Sequence, residues 1–365
     1  MKSLVTAARW GTAALAAGAL LATLGGAGTA GAAAPVSGTA GSVGLVVNSP
    51  VPVVSPDGTT AYVVGTDGSN TVTVQAVDTQ GDTVTRQLGL GASDTSRSYP
   101  ALSADGTRLY VLNGQRLSVV DTASLTLLAA VTLPDQPRPT GWTPGPTEGL
   151  VLSSDGSTVY VAQNGPETYR QYGQGRVLEF NTAQRAFTTT VQLSATNLDG
   201  LALRPNGHDL YVSGDNTVIH LNTAGSAPAV VGTIKNAPAA GFDYLAFSPD
   251  GSKLFAVSGN LTSTAGVIDP TTDTVTGTFT LTSANAQLDD PQVSPDGSVL
   301  YVTENDFTNG GSVLAVDTTT GAALPNDTVS SNEDWLYGMA VGPDNHTVYL
   351  TGTTNNNPVL EIDNY

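Results

Sequence analysis

The sequence predicts an all-β protein, a seven-bladed β-propeller of four-stranded antiparallel blades, and three observations carry the prediction. A tetrapeptide of the Ser-Pro-Asp-Gly type recurs seven times, at 55–58, 103–106, 153–156, 204–207, 248–251, 294–297 and 342–345. Its third position recurs every 44 to 51 residues, and five residues after it stands an aromatic: Tyr62, Tyr110, Tyr160, Tyr211, Phe255, Tyr301 and Tyr349. A period of this length is the mark of a propeller or a solenoid. Finally, each unit reads as four short strands, with no amphipathic helix between them.

The elements follow in chain order. Residues 1–32 have the layout of a secretory signal peptide. Lys2 and Arg9 precede the apolar run Ala13–Leu24, and Ala30-Gly31-Ala32 offers a cleavage site. The apolar run is too short to span a bilayer. Residues 33–42 form a short N-terminal segment, and 43–365 a single propeller. The last unit ends after its third strand, whereas "VGLVVNS" at 43–49 is a strand without a unit. Placing that strand beside the last one completes the seventh blade, closes the ring and removes two exposed edges. Within a unit, an alternating strand leads into the Asp-Gly turn and an aromatic strand leaves it. A third strand then ends in Asp or Asn, as in "VQAVDT" and "LSVVDT".

These repeats assign most aspartates to the scaffold. Asp57, Asp105, Asp155, Asp250, Asp296 and Asp344, with Asn206 as a neutral equivalent, accept backbone N–H groups in their turns. Asp78, Asp121, Asp269, Asp317 and Asp363 are expected to cap the turn out of the third strand.

Composition narrows the function. Asp and Glu number 31 against 13 Lys and Arg, a formal charge of −18, which repels nucleic acid and anionic lipid. The chain has no Cys, hence neither disulfides, a lipid-attachment thiol nor a thiol nucleophile. The His residues His208, His220 and His346 fall on separate turns and strands, which argues against a His-rich metal site. A secreted or envelope-retained monomer is expected.

Candidate site residues lie where the repeat varies, at the face where inner strands begin and the longest loops lie. Seven residues before the turn position the units read Pro50, Ser98, Glu148, Asp199, Asp243, Asp289 and Tyr337. The four acids, with Asp290, Glu333 and Asp334 nearby, form an arc at the channel mouth suited to a hard cation such as Ca²⁺. Loop aromatics and arginines supply candidate partner contacts: Trp142, Tyr169, Arg170, Tyr172, Trp335 and Tyr337. Tyr99, Phe242, Tyr244, Phe307, Arg138 and Arg176 share those loops. The expected partner at this face is a protein, carbohydrate or small molecule.

The turn, the following "YV" and the "V-x-V-x-D-T" strand resemble the YVTN family of bacterial propeller repeats. "YVTEN" at 301–305 is the nearest copy, with Glu304 interrupting the tetrapeptide. The resemblance spans residues 43–365 and implies a secreted or surface binding propeller. More distantly it resembles seven-bladed lactonases and the heavy chains of amine dehydrogenases. These imply a metal-dependent hydrolase or a redox-complex subunit as alternatives to a non-catalytic binding and scaffold protein.

Overall fold

The computed structural model describes residues 38–95, 97–169, 171–225, 227–235, 242–258, 264–281, 286–306, 310–324, 329–330 and 334–364. The repeated turn is built as its residues dictate. Asp155 accepts the Ser153 hydroxyl at 2.6 Å and the Ser157 N–H at 2.9 Å. Asp57, Asp105, Asp250 and Asp296 repeat the pattern. Asn206 takes the His208 N–H, and Asp344 those of His346 and Thr347. The glycine after the acid adopts positive φ, 79° at Gly297, where a Cβ would be strained. The threonine beyond the third strand then donates to that glycine's carbonyl, as Thr122 does to Gly106 and Thr318 to Gly297, each at 2.6 Å. The Asp-Thr and Asp-Gly signatures thus form one joint.

Among the described residues the chain forms seven four-stranded antiparallel sheets and one two-stranded ribbon, with no helix. Blade I comprises Val47–Val54, Thr60–Asp67, Thr71–Asp78 and Thr83–Ala92. Blade II runs from Tyr99 to Thr132, III from Thr147 to Gln192, IV from Leu198 to Ile234, V from Tyr244 to Thr280 and VI from Gln287 to Ser330. Blade VII takes Trp335–Val341, Thr347–Thr354 and Asn357–Asn364, with Gly38–Gly44 as its outer strand. Each inner strand neighbours the next, and that of blade I also packs on blade VII, so the sheets close a ring.

The closing strand lies earlier than the sequence suggests. Gly38–Gly44, not 43–49, pairs with Asn357–Asn364, and Val47 already opens the inner strand of blade I. The crossover between blades hides within an unbroken alternation. Val43, Leu45 and Val47 are all buried in the wedge between blades VII and I, so the apolar period continues through the link.

The core is divided in the same manner. Seven apolar clusters are each shared by two adjacent blades. Second strands such as Arg108–Asn113 and third strands such as Thr71–Asp78 are therefore buried along nearly their whole length, and outer strands such as Thr274–Thr280 are largely exposed. Phe242 belongs to this core, packed between blades IV and V, rather than to a binding loop. Asp363 is placed differently from the other third-strand acids. It is fully buried within blade VII, paired with Thr39 and Val348, because the added outer strand continues the sheet past it.

Candidate functional site

Inner strands begin at the end of the ring opposite the Asp-Gly turns, and five of them begin with a slip in register. The slips fall between Asn48 and Val51, Thr147 and Gly149, Leu198 and Gly200, Asp289 and Gln292, and Leu336 and Gly338. A bulge leaves its extra residue unpaired and re-aims the side chain. Here the residues set free include Glu148, Asp199, Asp290 and Tyr337. All four line one cavity of about 280 Å³ at the channel mouth. Arg97, Tyr99 and Tyr244 complete its polar wall, and aliphatic side chains including Val51, Leu150, Leu201, Leu245 and Met339 its remainder. A second cavity of about 170 Å³ adjoins it, lined by Ser49, Val51, Arg97, Gln287, Asp289, Trp335, Leu336 and Tyr337.

The predicted acidic arc is therefore divided. Glu148 and Asp199 meet in the larger cavity, and Asp289 faces the smaller one. In blade VI the slip falls after Asp289, so Asp290 takes the place that counting back from the turn gives to Asp289. In blade V the ladder from Tyr244 to Phe247 is regular. Asp243 stands just before it, its N–H on the carbonyl of Val257, the partner of Tyr244, at 2.9 Å and its carboxylate accepting from Ser258, and it acts as a charge on Asp199. Among the described residues no group of three or more His, Asp or Glu could hold one metal ion. Glu333 and Phe307 lie outside the described residues.

Burial and crowding set the electrostatics. Burial pushes the Glu148 carboxyl up to about 7. The Tyr99 hydroxyl, which donates to it at 3.4 Å, and Arg97 pull it down, whereas the charges of Asp199 and Glu167 add to the rise. The other Glu148 oxygen accepts from Asn164 Nδ2 at 2.8 Å, which fixes its orientation. Asp199 is also raised to about 7, by burial first and then by Asp243 and Asp215. Burial raises Asp290 against the pull of the Met339 N–H, which donates at 2.6 Å, and of Arg97. Burial also raises the phenols of Tyr99 and Tyr244.

Arg97 is the residue that sequence reasoning missed. Its guanidinium lies 5.4 Å from the Tyr99 ring centroid. Burial alone would lower its basicity, but the oxygens of Tyr99, Tyr244 and Asp290 outweigh that and raise it. Those partners sit on blades II, V and VI, so the side chain reaches over the mouth. The available signal was Arg97 beside Ser98, a cation at the height where four other blades carry acids.

The loop candidates separate into two groups. Trp335 and Tyr337 line the mouth cavities. Trp142, half-buried, lies in the link that leads into blade III, and Tyr169 and Tyr172 lie in that blade, where Glu167–Thr168 and Gln171–Tyr172 form the two-stranded ribbon. Tyr169 is 87% and Tyr172 50% exposed. Arg170 lies outside the described residues. Arg176 is a structural residue: 2% exposed, it donates to Gln163 and to the Pro134 and Asp135 carbonyls, and so pins the long loop to its blade.

No protein-family model matches the chain. Over 164 residues, 44% of its length, the chain is 30% identical to a seven-bladed β-propeller protein of Mycobacterium tuberculosis, of which the match spans 40%. The chain is thus similar in sequence to a bacterial seven-bladed propeller, in agreement with the seven sheets that surround its channel.

Proposed function

We propose that this is a secreted, non-catalytic binding propeller of the YVTN type that takes its ligand on the face where the inner strands begin. One observation carries the reading: register slips turn Glu148, Asp199, Asp290 and Tyr337 into a single concave site with Arg97, where two carboxyls are held far from their ordinary state. Perturbed titratable groups gathered in a cavity characterise functional sites. The exposed Tyr169 and Tyr172 offer the same face a second contact for a larger partner. Residues 1–32 would direct export.

The test is a thermal-shift screen of small polar metabolites, and of Ca²⁺ against EDTA, on the wild type and on an Arg97→Gln, Asp199→Asn double variant. A ligand of the folded state raises the melting temperature. The reading expects compounds that stabilise the wild type and not the variant. Stabilisers that act equally on both would place binding elsewhere. Carboxyls near 7 also suit general acid–base chemistry, so a lactone panel run on the same proteins is the check on a hydrolase. Turnover lost in the double variant would replace the binding reading.

A further inference from the structure

We propose that the mouth cavity takes a small zwitterion, an amino-acid-sized molecule whose carboxylate lies on Arg97 and whose ammonium lies against Asp199 and Glu148. The proposal rests on the binding reading above and gives it a ligand class.

Size comes first. At about 280 Å³ the cavity lies at the lower edge of the roughly 300–1,000 Å³ range of pockets that enclose a drug-sized ligand.

Charge is the second argument. Among the described residues Asp199 receives no hydrogen bond, and every influence on its carboxyl, burial and the charges of Asp243 and Asp215, disfavours ionisation. An ammonium group placed there would relieve all three. Glu148, on the neighbouring blade, keeps an oxygen on the long 3.4 Å contact with Tyr99 and can share that ammonium.

At the other end, the described arginine–carboxylate ion pairs are Arg108–Asp121, Arg138–Asp135 and Arg204–Asp209, and Arg97 forms none. A guanidinium has five donors in a planar fork that matches a carboxylate, and Tyr244 takes part of that capacity. Arg97, at the start of blade II, and Asp199, on blade IV, line the same cavity. Val51, Leu201 and Leu245 line the same cavity and give an apolar wall for a methylene spacer.

The alternatives fit less well. A simple amine meets Arg97, a simple anion meets the carboxylates, and a neutral polyol leaves the Asp199 charge uncompensated.

The test is calorimetric titration of the full chain with 4-aminobutyrate, and with butyrate, butylamine and erythritol as single-feature controls. Shorter and longer ω-amino acids vary the spacing. The best ω-amino acid should bind about tenfold or more tightly than either singly charged control. Asp199→Asn and Arg97→Gln should each weaken it by a similar factor, and Arg97→Lys by less. At pH 7 the ammonium should expel protons from Asp199 and Glu148, so the binding enthalpy should change with the buffer's ionisation enthalpy, and affinity should fall at pH 5. Circular dichroism melts of each variant separate lost binding from lost folding. Butylamine or butyrate binding as tightly as every ω-amino acid overturns the ligand class. So does erythritol binding where no ω-amino acid does, although binding at the mouth would then stand. No heat from any probe, together with a silent metabolite screen, removes both.

Discussion

The hydroxyl of Tyr349, on the last blade, donates to the carbonyl of Gly58, on the first, at 3.3 Å. It joins residues 291 positions apart, across the seam where the ring closes. The repeat tyrosine does the same between blades VI and VII, where Tyr301 donates to Asn345 at 3.2 Å. Each ring fills an apolar wedge while its hydroxyl holds the next blade's turn. Tyr349→Phe keeps the packing and should cost about 1 kcal/mol. Tyr349→Ala also empties the wedge and should cost about 3–5 kcal/mol. Urea denaturation midpoints of the two variants measure the difference. Equal losses would mean that the hydroxyl, not the ring, holds the seam.

The seam also depends on Gly38–Gly44. Deleting residues 1–45 removes the outer strand of blade VII and, with it, Val43 and Leu45 from the wedge. The exposed edge of Asn357–Asn364 becomes a template for strand addition. The expected outcome is a lower melting temperature and concentration-dependent association in analytical ultracentrifugation. A truncated chain that stays monomeric at full stability would show that the blade tolerates an open edge.

Three aspartates in the ten residues from Leu288 to Gly297 have different roles. Asp296 holds the turn through the Ser294 and Ser298 hydroxyls and the Ser298 N–H. Its replacement by Ala should cost about 1–2 kcal/mol. Asp290 has φ 46° and accepts the Met339 N–H, tying blade VI to blade VII. Asn tolerates that backbone conformation better than Ala, so Asp290→Asn should be milder than Asp290→Ala. Asp289 faces the smaller cavity, where its carboxylate accepts from Gln287 at 3.3 Å, so Asp289→Asn should leave stability nearly unchanged. Unfolding free energies of the four variants test these expectations, with Asp289→Asn nearest the wild type.

The same stretch shows what a sequence exposes. Asp296 was legible because every blade carries its equivalent, and repetition converts a local turn into a rule. The roles of Asp289 and Asp290 turn on where one extra residue enters a strand pair, which spacing from the turn cannot reveal. Glu148 and Asp199 line the larger cavity because their bulges fall at the common position, whereas Asp243 lies just before its strand's ladder and lines neither of the two cavities. Arg97 escaped because it works by reach: a long side chain crosses the mouth from a strand start that looks ordinary in sequence. The strand that closes the ring was misplaced because Val43, Leu45 and Val47 keep one alternation across two blades.

The pH dependence of stability should separate scaffold from site. Asp105 and Asp250 are lowered from 3.8 to about 2, chiefly by the serine hydroxyls that bond them in their turns. A depressed acid stabilises the fold above its unfolded value, and that contribution disappears as pH falls from about 3.8 through 2. Glu148 and Asp199 have the opposite sign. Their unfolded values are 4.5 and 3.8 and their folded values about 7, so the folded chain keeps protons that the unfolded chain has released. Their cost is absent below about pH 4, grows as pH rises toward 7 and is complete above it. Stability should therefore peak near pH 4 to 5 and decline toward pH 8. Asp199→Asn carries no charge to bury, so it should flatten the decline and unfold at higher urea than the wild type at pH 8, with little difference at pH 4. Urea titrations at those two values test this. A decline as large in Asp199→Asn and in Glu148→Gln as in the wild type would assign it to other groups and leave the mouth carboxyls without their strain.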